Sequence, residues 1–311
     1  MKFSVTIPTY KNVFLKETID SVLEQEYKDF EIIIVNDASP YDIDSIVSSY
    51  KDSRIKYYTN KRNCGAKNVV DNWNICLSKA CGDYIMCIGD DDKITPNCLH
   101  DFANYIERYP LIDIFHAGTE IIDDKSYHIT TLNIRPEWES VISFIYSAQN
   151  SGLGSYLFKT STLKKNGGFY KLPYGWASDF ITAYNAAKNN GIVNIQSIGF
   201  QYRGNGQSIS HDMKGIEGKI IALQKYEDWL RLFLNNLETK EEEDLKKKKN
   251  LIRSLSKRTN HNIDDLIEFD IRKNFIIRGL YWILNRAKYD ISIKRIILCL
   301  LKSLLYKFKQ M

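Results

Sequence analysis

The chain has 311 residues, of which 44% are hydrophobic and 26% are charged, as is ordinary for a globular protein. The six cysteines lack C-x-x-C spacing and the five histidines lack H-E-x-x-H spacing, which argues against a disulfide framework and a zinc site. Residues 1–10 run into a strand-like pattern without a signal segment, so we expect reduced thiols and a cytoplasmic location.

The net charge of +5 is unevenly distributed along the chain. Residues 240–311 hold 18 basic and 9 acidic side chains, a net of +9, whereas the remainder holds 25 basic and 29 acidic side chains, a net of −4. The sequence therefore predicts a basic C-terminal module on a mildly acidic body. This asymmetry indicates an anionic partner for the module, such as a membrane surface or nucleic acid.

In the first hundred residues, apolar runs of strand length alternate with segments of helical periodicity. The runs are continuous, which is typical of strands buried on both faces of a parallel sheet. Strands are predicted at residues 3–7, 31–35, 55–58 and 84–88, and helices at residues 15–23, 43–50, 66–79 and 99–108.

The middle of the chain is less regular. Candidate strands lie at residues 113–122, 128–134 and 155–161, and a helix is predicted from about Asp179. The residues alone favour an N-terminal capping role for Asp179 over a catalytic one. Beyond Gly206 the pattern is helical, and residues 240–249 are predicted to form a solvated helix or linker.

The last segment, residues 290–311, combines an apolar helical stripe with basic residues beside it. The stripe consists of Ile293, Ile296, Ile297, Leu300, Leu301, Leu304, Leu305 and Phe308, and the basic residues are Lys294, Arg295, Lys302, Lys307 and Lys309. This segment is too short and too charged to span a bilayer comfortably. We expect it to lie on a membrane surface rather than to bind nucleic acid. The alternative is a helix that packs on the body or on a second subunit.

Three polar clusters follow predicted strands: Pro8–Thr9–Tyr10, Asn36–Asp37 and Asp90–Asp92. Ligands of such sheets bind beyond the carboxyl ends of the strands, so we expect a shared site there. Three consecutive carboxylates repel one another and predict a divalent cation held by oxygen ligands, with a phosphorylated substrate completing its coordination. The alternative is a solvated acidic turn.

Five segments together resemble family 2 glycosyltransferases of the GT-A fold, especially bacterial enzymes that build surface polysaccharides. In order they are FSVTIPTYKN, EIIIVNDASPYD, NKRNCGAKNVVDNWN, GDYIMCIGDDDKITP and the Gly-Trp-Ala-Ser-Asp run that ends at Asp179. The resemblance covers about residues 1–212. It implies an α/β fold there, with a Rossmann-like, mainly parallel central sheet flanked by helices, and an α-helical C-terminal extension in residues 213–311.

By position, the resemblance assigns one group of residues to the nucleotide. Tyr10 belongs to the loop that packs on the base and ribose, Asp37 accepts a hydrogen bond from the base, and Lys67 adds positive charge beside the diphosphate. The full group is Pro8, Thr9, Tyr10, Asp37, Asn63, Gly65, Lys67 and Asp91.

The remaining assignments concern the chemistry. The resemblance implies that Asp92 ligates Mn²⁺ or Mg²⁺, that Asp179 is the general base, and that Arg203 and His211 lie in a segment that closes over the diphosphate. Because the acidic motif has three members, Asp90 and Asp91 are an alternative working pair.

The implied reaction is inverting transfer of a hexose or N-acetylhexosamine from a nucleotide sugar, expected to be UDP-linked. The expected acceptor is a hydroxyl of a glycan, carried on a lipid during O-antigen or capsule synthesis at the inner face of the bacterial cytoplasmic membrane. The alternative is a catalytically silent nucleotide-sugar-binding scaffold. A nucleotidyltransferase and a dinucleotide dehydrogenase are disfavoured, because no glycine-rich phosphate loop follows the first strand.

Overall fold

The computed structural model of the chain describes residues 1–147, 152–204 and 215–308, with side chains as far as Tyr306. Its internal contacts divide the chain into two compact units. The sheet unit comprises Met1–Lys171 and Ser178–Gly206, and the helical unit comprises Leu172–Ala177 and Gln207–Met311. The helical unit therefore takes a short segment from before Asp179 in addition to the C-terminal extension.

The sheet unit is built on one mixed β-sheet. Its described strands are β1 (Phe3–Thr9), β2 (Phe30–Asn36), β3 (Ile55–Thr59), β4 (Tyr84–Cys87), β5 (Lys93–Ile94), β6 (Ile114–Ile122), β7 (His128–Thr131), β8 (Trp138–Glu139), β9 (Tyr156–Lys159) and β10 (Ile192–Arg203). Its described α-helices are α1 (Leu15–Leu23), α2 (Ile43–Ser48), α3 (Val69–Lys79), α4 (Cys98–Arg108), α5 (Val141–Tyr146), α6 (Thr160–Lys165) and α7 (Ser178–Ala187).

The sheet order is β3-β2-β1-β4-β9-β6-β10-β5, with β7 paired to β6 and β8 paired to β10. The first four strands in this order are parallel, as predicted from the alternation of strands and helices. Strand β9 runs antiparallel to both of its neighbours, and β6 and β10 are again parallel. The predicted α/β architecture is confirmed, and the antiparallel β9 makes the second half of the sheet mixed.

Continuous apolar sequence in β1, β2 and β4 matches complete burial of their centres. Val5, Ile32 and Met86 are all fully buried in one core. Helix α1 covers this core with Leu15, Ile19 and Val22, whose spacing places them on one helical face. Helix α1 thus packs against the strands, and the polar residues at the carboxyl ends of the strands remain available for ligand binding.

The helical unit contains four described α-helices: α8 (Ile216–Asn236), α9 (Glu242–Lys273), α10 (Phe275–Asn285) and α11 (Ile293–Phe308). Its core includes Trp282, which is fully buried and donates its indole N–H to Asp270 at 2.9 Å. Of the predicted solvated segment at residues 240–249, residues 242–249 form the first turns of α9. Among the described residues, no helix is long and apolar enough to cross a membrane.

Candidate active site at the carboxyl edge of the sheet

The parallel register brings the predicted polar clusters to one edge of the sheet. Thr9 lies opposite Asn36 in the pairing of β1 with β2, and the Asp37 N–H donates to the Thr9 carbonyl at 2.9 Å. On the other side of β1, the Ile88 N–H donates to the Thr6 carbonyl at 3.0 Å, just before the three aspartates. The ends of β1, β2 and β4 therefore lie side by side, and the predicted convergence is observed.

The Asp37 carboxylate is oriented by the loop that follows β3. The Cys64 N–H donates to its two oxygens at 2.9 and 3.1 Å, and the Asn60 amide donates to Oδ1 at 2.8 Å. Asn60 also donates to Asn72 at 3.0 Å, which ties the loop to α3. Asp37 is buried but stays at the strand end where a nucleobase contact is predicted. The sequence did not single out Asn60 or Cys64.

Two exposed aromatic rings lie near this carboxylate. Tyr10 and Tyr41 meet edge to face, with ring centroids 6.1 Å apart. The Ser39 hydroxyl joins their backbones, because it donates to the Tyr10 carbonyl at 2.6 Å and accepts from the Tyr41 N–H at 3.0 Å. Pro8 is partly buried in β1 just before them. Tyr10 is thus accessible for the predicted stacking, and Tyr41 is a neighbour that the sequence did not identify.

The loop predicted to flank the diphosphate lies after β3. Asn63 and Lys67 are exposed, and Gly65 between them has φ of +79°, a backbone conformation that glycine tolerates best. A short 3-10 turn over Ala66–Asn68 follows and leads into α3. Contact between these residues and a diphosphate stays a prediction.

Asp90 anchors the loop after β1. Its Oδ2 accepts from the backbone N–H groups of Tyr10 and Lys11, both at 2.7 Å, and from the Thr9 hydroxyl at 3.2 Å. Burial, with a smaller contribution from the Asp91 charge, raises the pKa of Asp90 to about 6. Because this oxygen serves three protein donors, the geometry favours Asp91 and Asp92 over Asp90 and Asp91 as the working pair.

The Asp91 and Asp92 carboxylates converge on the backbone of Gly89. A Cβ at position 89 would lie 2.8 Å from Asp91 Oδ1 and 2.9 Å from Asp92 Oδ2, so both oxygens face the space that the glycine leaves. Paired carboxylate oxygens suit Mg²⁺ or Mn²⁺. Among the described residues, no group of three or more His, Cys, Asp and Glu side chains could hold a metal. The pair would thus supply part of a coordination shell.

Asp92 is held by contacts from two other elements, β10 and α1. It is 7% exposed, and its Oδ1 accepts from the Arg203 backbone N–H at 3.0 Å. The Thr18 hydroxyl of α1 donates to the Asp92 carbonyl at 2.8 Å. Burial, reinforced by the Asp91 charge, raises the pKa of Asp92 well above its usual value. A cation beside this carboxylate would offset the cost of ionising it.

Arg203 supports the acidic motif from within the protein. Its side chain is fully buried, with the guanidinium 4.2 Å from the Phe14 ring centroid. The guanidinium donates to the carbonyls of Asp91 at 2.8 Å and Asp123 at 2.9 Å, and to Glu17 at 2.9 Å. These bonds favour a positioning role under the acidic motif, and diphosphate contact stays a prediction.

Asp179 occupies the second position of α7 and is partly buried. Its Oδ1 accepts from the Phe180 N–H at 2.9 Å. Burial raises the pKa of Asp179 from 3.8 to about 6, which brings the carboxylate closer to the range that suits a general base near neutral pH. His211, which was predicted to act with Arg203, lies outside the described residues.

The segment that carries most of this edge matches a known family model. Residues 4–155 match the model described as "Glycosyl transferase family 2". This segment includes β1 to β4 and all three aspartates, and it ends before Asp179. Residues 4–155 of the chain belong to glycosyl transferase family 2.

Curated relatives of this family 2 glycosyltransferase include three bacterial proteins. An uncharacterized glycosyltransferase of Rickettsia typhi is 27% identical over 77% of this chain and 73% of its own length. The putative colanic acid biosynthesis glycosyl transferase WcaA of Escherichia coli is 40% identical over 40% of this chain and 44% of its own. The GalNAc(5)-diNAcBac-PP-undecaprenol beta-1,3-glucosyltransferase of Campylobacter jejuni is 36% identical over 32% of each chain. The chain thus spans less than half of the last two relatives.

A solved structure has the same fold as this family 2 glycosyltransferase. The crystal structure of S. aureus TarS residues 1–349 in complex with UDP-GlcNAc superposes with a TM-score of 0.66. The match covers 93% of this chain and 89% of that chain at 18% sequence identity. This likeness establishes the fold, in agreement with the GT-A fold expected from the sequence.

Substitution of Gly89 tests whether the family 2 glycosyltransferase needs the space between its two carboxylates. In Gly89→Ala the new methyl group would displace Asp91 and Asp92 from their present positions. Because a shift of about 1 Å at a reacting centre can cost about 10²-fold in rate, we expect a loss of that order in kcat/KM. Thermal unfolding without metal or nucleotide serves as the control, and an unchanged kcat/KM would contradict the importance of this space.

Proposed function

We propose that the chain is an inverting, metal-dependent hexosyltransferase. It moves a hexose or N-acetylhexosamine from a UDP-linked donor to a hydroxyl of a glycan acceptor. The observation that carries the proposal is the convergence of Asp91 and Asp92 on Gly89, at the same strand ends that present Asp37 and Tyr10. Such an arrangement offers a place for a metal-bound diphosphate next to a place for a nucleobase.

The nucleoside half of the donor would lie beyond the carboxyl ends of β1 and β2. Tyr10, with Tyr41 against its edge, supplies an exposed aromatic surface on which a base can stack. Asp37, held by Cys64 and Asn60, supplies a fixed acceptor for a base N–H. The TarS structure with UDP-GlcNAc supports a uridine donor, because that protein shares the fold and its described complex holds this class of ligand.

The diphosphate half would meet Asp91 and Asp92. Asp91 and Asp92 would hold a divalent cation here, and that cation would supply positive charge to offset the negative charge on the departing diphosphate. The chain's own contribution is to fix both carboxylates: Asp92 through the Arg203 N–H, and the Asp91 backbone through the Arg203 guanidinium. Arg203 thereby holds the acidic motif in place from within the protein.

The acceptor hydroxyl is a weak nucleophile, and Asp179 is proposed to take its proton. As the hydroxyl oxygen forms a bond to the anomeric carbon, the bond from that carbon to the diphosphate breaks and its electron pair leaves with the nucleotide. The proton passes to the Asp179 carboxylate. A single displacement from the opposite face inverts the anomeric centre, so no covalent enzyme intermediate is required.

The proposed acceptor is a lipid-linked oligosaccharide of a bacterial surface polysaccharide, at the inner face of the cytoplasmic membrane. Two relatives support this class of acceptor: WcaA is described as acting in colanic acid biosynthesis, and the Campylobacter jejuni enzyme as acting on an undecaprenol-linked glycan. O-antigen and capsule precursors are the two expected forms of such an acceptor.

A donor screen tests the proposal. Thermal unfolding is measured with UDP-sugars and, as matched controls, GDP-sugars, each with and without Mn²⁺ or Mg²⁺. A ligand that is present at about one hundred times its Kd stabilises the native state by about 2.7 kcal/mol, or about 5 °C for a protein of this size. We expect such a shift for a UDP-sugar, and only when metal is present.

Slow hydrolysis of the stabilising donor then separates the enzyme from its alternative. We expect release of UDP that stops when the metal is chelated. A donor that binds but yields neither hydrolysis nor transfer with any glycan would instead indicate a nucleotide-sugar-binding scaffold. If no donor raises the unfolding temperature, both the transferase and the scaffold hypotheses are contradicted.

A further inference from the structure

Helix α11 has two apolar faces rather than one. Its inner face, with Ile296, Cys299 and Ser303, is buried, and Ser303 donates to the Glu268 carbonyl of α9 at 3.3 Å. Its outer face remains exposed and is also apolar. This outer face consists of Ile297, Leu298, Leu301, Leu304 and Leu305, whose exposed fractions range from 39% to 61%.

The preceding helix repeats this arrangement. In α10, Trp282 is buried in the core of the helical unit, and Gly279 lies against α11, where a Cβ would come within 2.9 Å of Leu300. The side chains that point away from these contacts are again large and apolar. They are Ile276, Ile277, Leu280 and Leu284, with exposed fractions from 55% to 78%. We call these four residues and the five of α11 the outer apolar surface.

Positive charge accompanies this surface. From Phe275 to Tyr306 the chain has six basic residues and one acidic residue, Asp290. Arg278, Arg295 and Lys302 form ion pairs with acids of α8 and α9, which fixes them at the sides of the helices. Lys288 and Lys294 are exposed at the end of α10 and the start of α11, and neither has a carboxylate partner in the part of the chain that the structure describes.

The combination points to one kind of partner. The nine exposed aliphatic side chains of the outer apolar surface exceed the scattered apolar residues that a soluble surface normally shows. Protein–protein interfaces are depleted of lysine, and two copies that met through this surface would bring like charges together. An anionic lipid bilayer is compatible with both the exposed aliphatic side chains and the lysines beside them. The aliphatic side chains can insert among the acyl chains, and the phosphate headgroups attract the lysines.

We propose that the outer apolar surface docks the protein on an anionic lipid bilayer, with α10 and α11 lying in the headgroup layer. Since no helix in the described part of the chain can cross the membrane, this contact is interfacial. The proposal extends the membrane contact expected for residues 290–311 to α10 and places insertion on the outer face of α11. It is consistent with a lipid-linked acceptor but does not depend on one.

Vesicle flotation tests the proposal with the full chain. The vesicles are phosphatidylcholine alone, or phosphatidylcholine mixed with phosphatidylglycerol. The test variant is Leu301→Gln/Leu305→Gln, and the matched control is Leu111→Gln/Leu232→Gln, which changes two leucines that are also highly exposed but lie outside the surface. Both variants are first compared with wild type by thermal unfolding.

We expect wild type and the control to float with vesicles that contain phosphatidylglycerol. The test variant should bind at least about tenfold more weakly, because each leucine loses a favourable transfer into the acyl region. Lys294→Gln should cost about fivefold, and only on vesicles with phosphatidylglycerol. UDP-sugar hydrolysis should be unchanged in all three variants, so failure of docking is distinguishable from failure of the transferase proposal.

Three results would overturn the proposal. The first is that wild type does not float with either vesicle, and the second is that the test variant floats as well as wild type. The third is a light-scattering result in which wild type is a dimer without affinity for vesicles and the test variant is a monomer. That last result would assign the surface to a second copy of the chain.

Discussion

Asp179→Asn is expected to abolish most glycosyl transfer while leaving donor binding intact. Asparagine has nearly the same shape as aspartate, and its amide oxygen can still accept from the Phe180 N–H at the start of α7. It cannot take a proton from the acceptor hydroxyl. Since positioned general bases contribute about 10²- to 10⁴-fold, we expect kcat for transfer to fall by that factor.

The pH dependence of transfer gives a second test of Asp179 as the general base. Burial raises the pKa of Asp179 to about 6, so the carboxylate required of a base is the minor form below that pH and the major form above it. In wild type, kcat/KM should therefore fall about tenfold for each pH unit below about 6 and level off above it. This acidic limb should be absent from the residual activity of Asp179→Asn.

The matched control for this variant is Asp124→Asn, at an exposed aspartate outside the proposed site. Its transfer rate and pH profile should equal those of wild type. The Kd of the UDP-sugar, measured by titration calorimetry in the presence of metal, should be the same for wild type and both variants. Transfer by Asp179→Asn at the wild-type rate would remove Asp179 as the base.

Much of the sheet and its polar carboxyl edge could be predicted because local patterns determine them. Continuous apolar runs such as residues 31–35 predicted buried strands, and the parallel register then placed Asp37 and Asp92 at one edge. The carboxyl ends of parallel strands lie at the same edge of a sheet, so polar residues directly after such strands lie at that edge too. The carboxylates that follow β2 and β4 were therefore accessible to sequence reasoning.

Contacts between residues far apart in sequence were not accessible in this way. Asn60 and Cys64 orient Asp37 only because the loop after β3 folds back, and no pattern in that loop indicates the bonds. Arg203 was predicted in a segment that closes over the diphosphate, and that contact stays a prediction. The sequence did not indicate that its side chain is buried under the acidic motif against Glu17 and Phe14. Its burial depends on the last residue of β10 meeting α1, which periodicity cannot show.

The C-terminal helix illustrates a related limit. Helical spacing grouped Ile296 and Leu300 with Leu301 and Leu305 as one apolar stripe. In the structure Ile296 is buried while Leu301 and Leu305 are exposed, because α9 and α10 cover only part of that stripe. A sequence pattern shows that a face is apolar, but it does not show which part of the face is already covered.

The second large effect is expected at Asp92. Asp92→Ala should remove metal-dependent turnover, since it deletes one of the two carboxylates that face the Gly89 space. A metal that stabilises a departing diphosphate contributes several kcal/mol, so we expect kcat/KM to fall by about 10³-fold or more. The measurement is turnover with a UDP-sugar over a range of Mn²⁺ concentrations.

Asp92→Asn is the control that separates charge from structure. Alanine leaves the buried Arg203 N–H without its acceptor, which costs about 1–3 kcal/mol of folding free energy, whereas asparagine can keep that bond. Both substitutions remove the negative charge. If Asp92 binds the metal, the two variants should lose activity about equally and differ in thermal stability.

The opposite pattern would assign Asp92 a different role. If Asp92→Asn kept wild-type turnover while Asp92→Ala lost it, the residue would serve to hold the Arg203 backbone, and the metal assignment would fail. Turnover of the wild type after chelation would then show whether the reaction needs a metal at all. If wild-type turnover persists after chelation, the charge on the departing nucleotide must be met by the protein itself, and the exposed Lys67 in the loop after β3 would become the candidate cation.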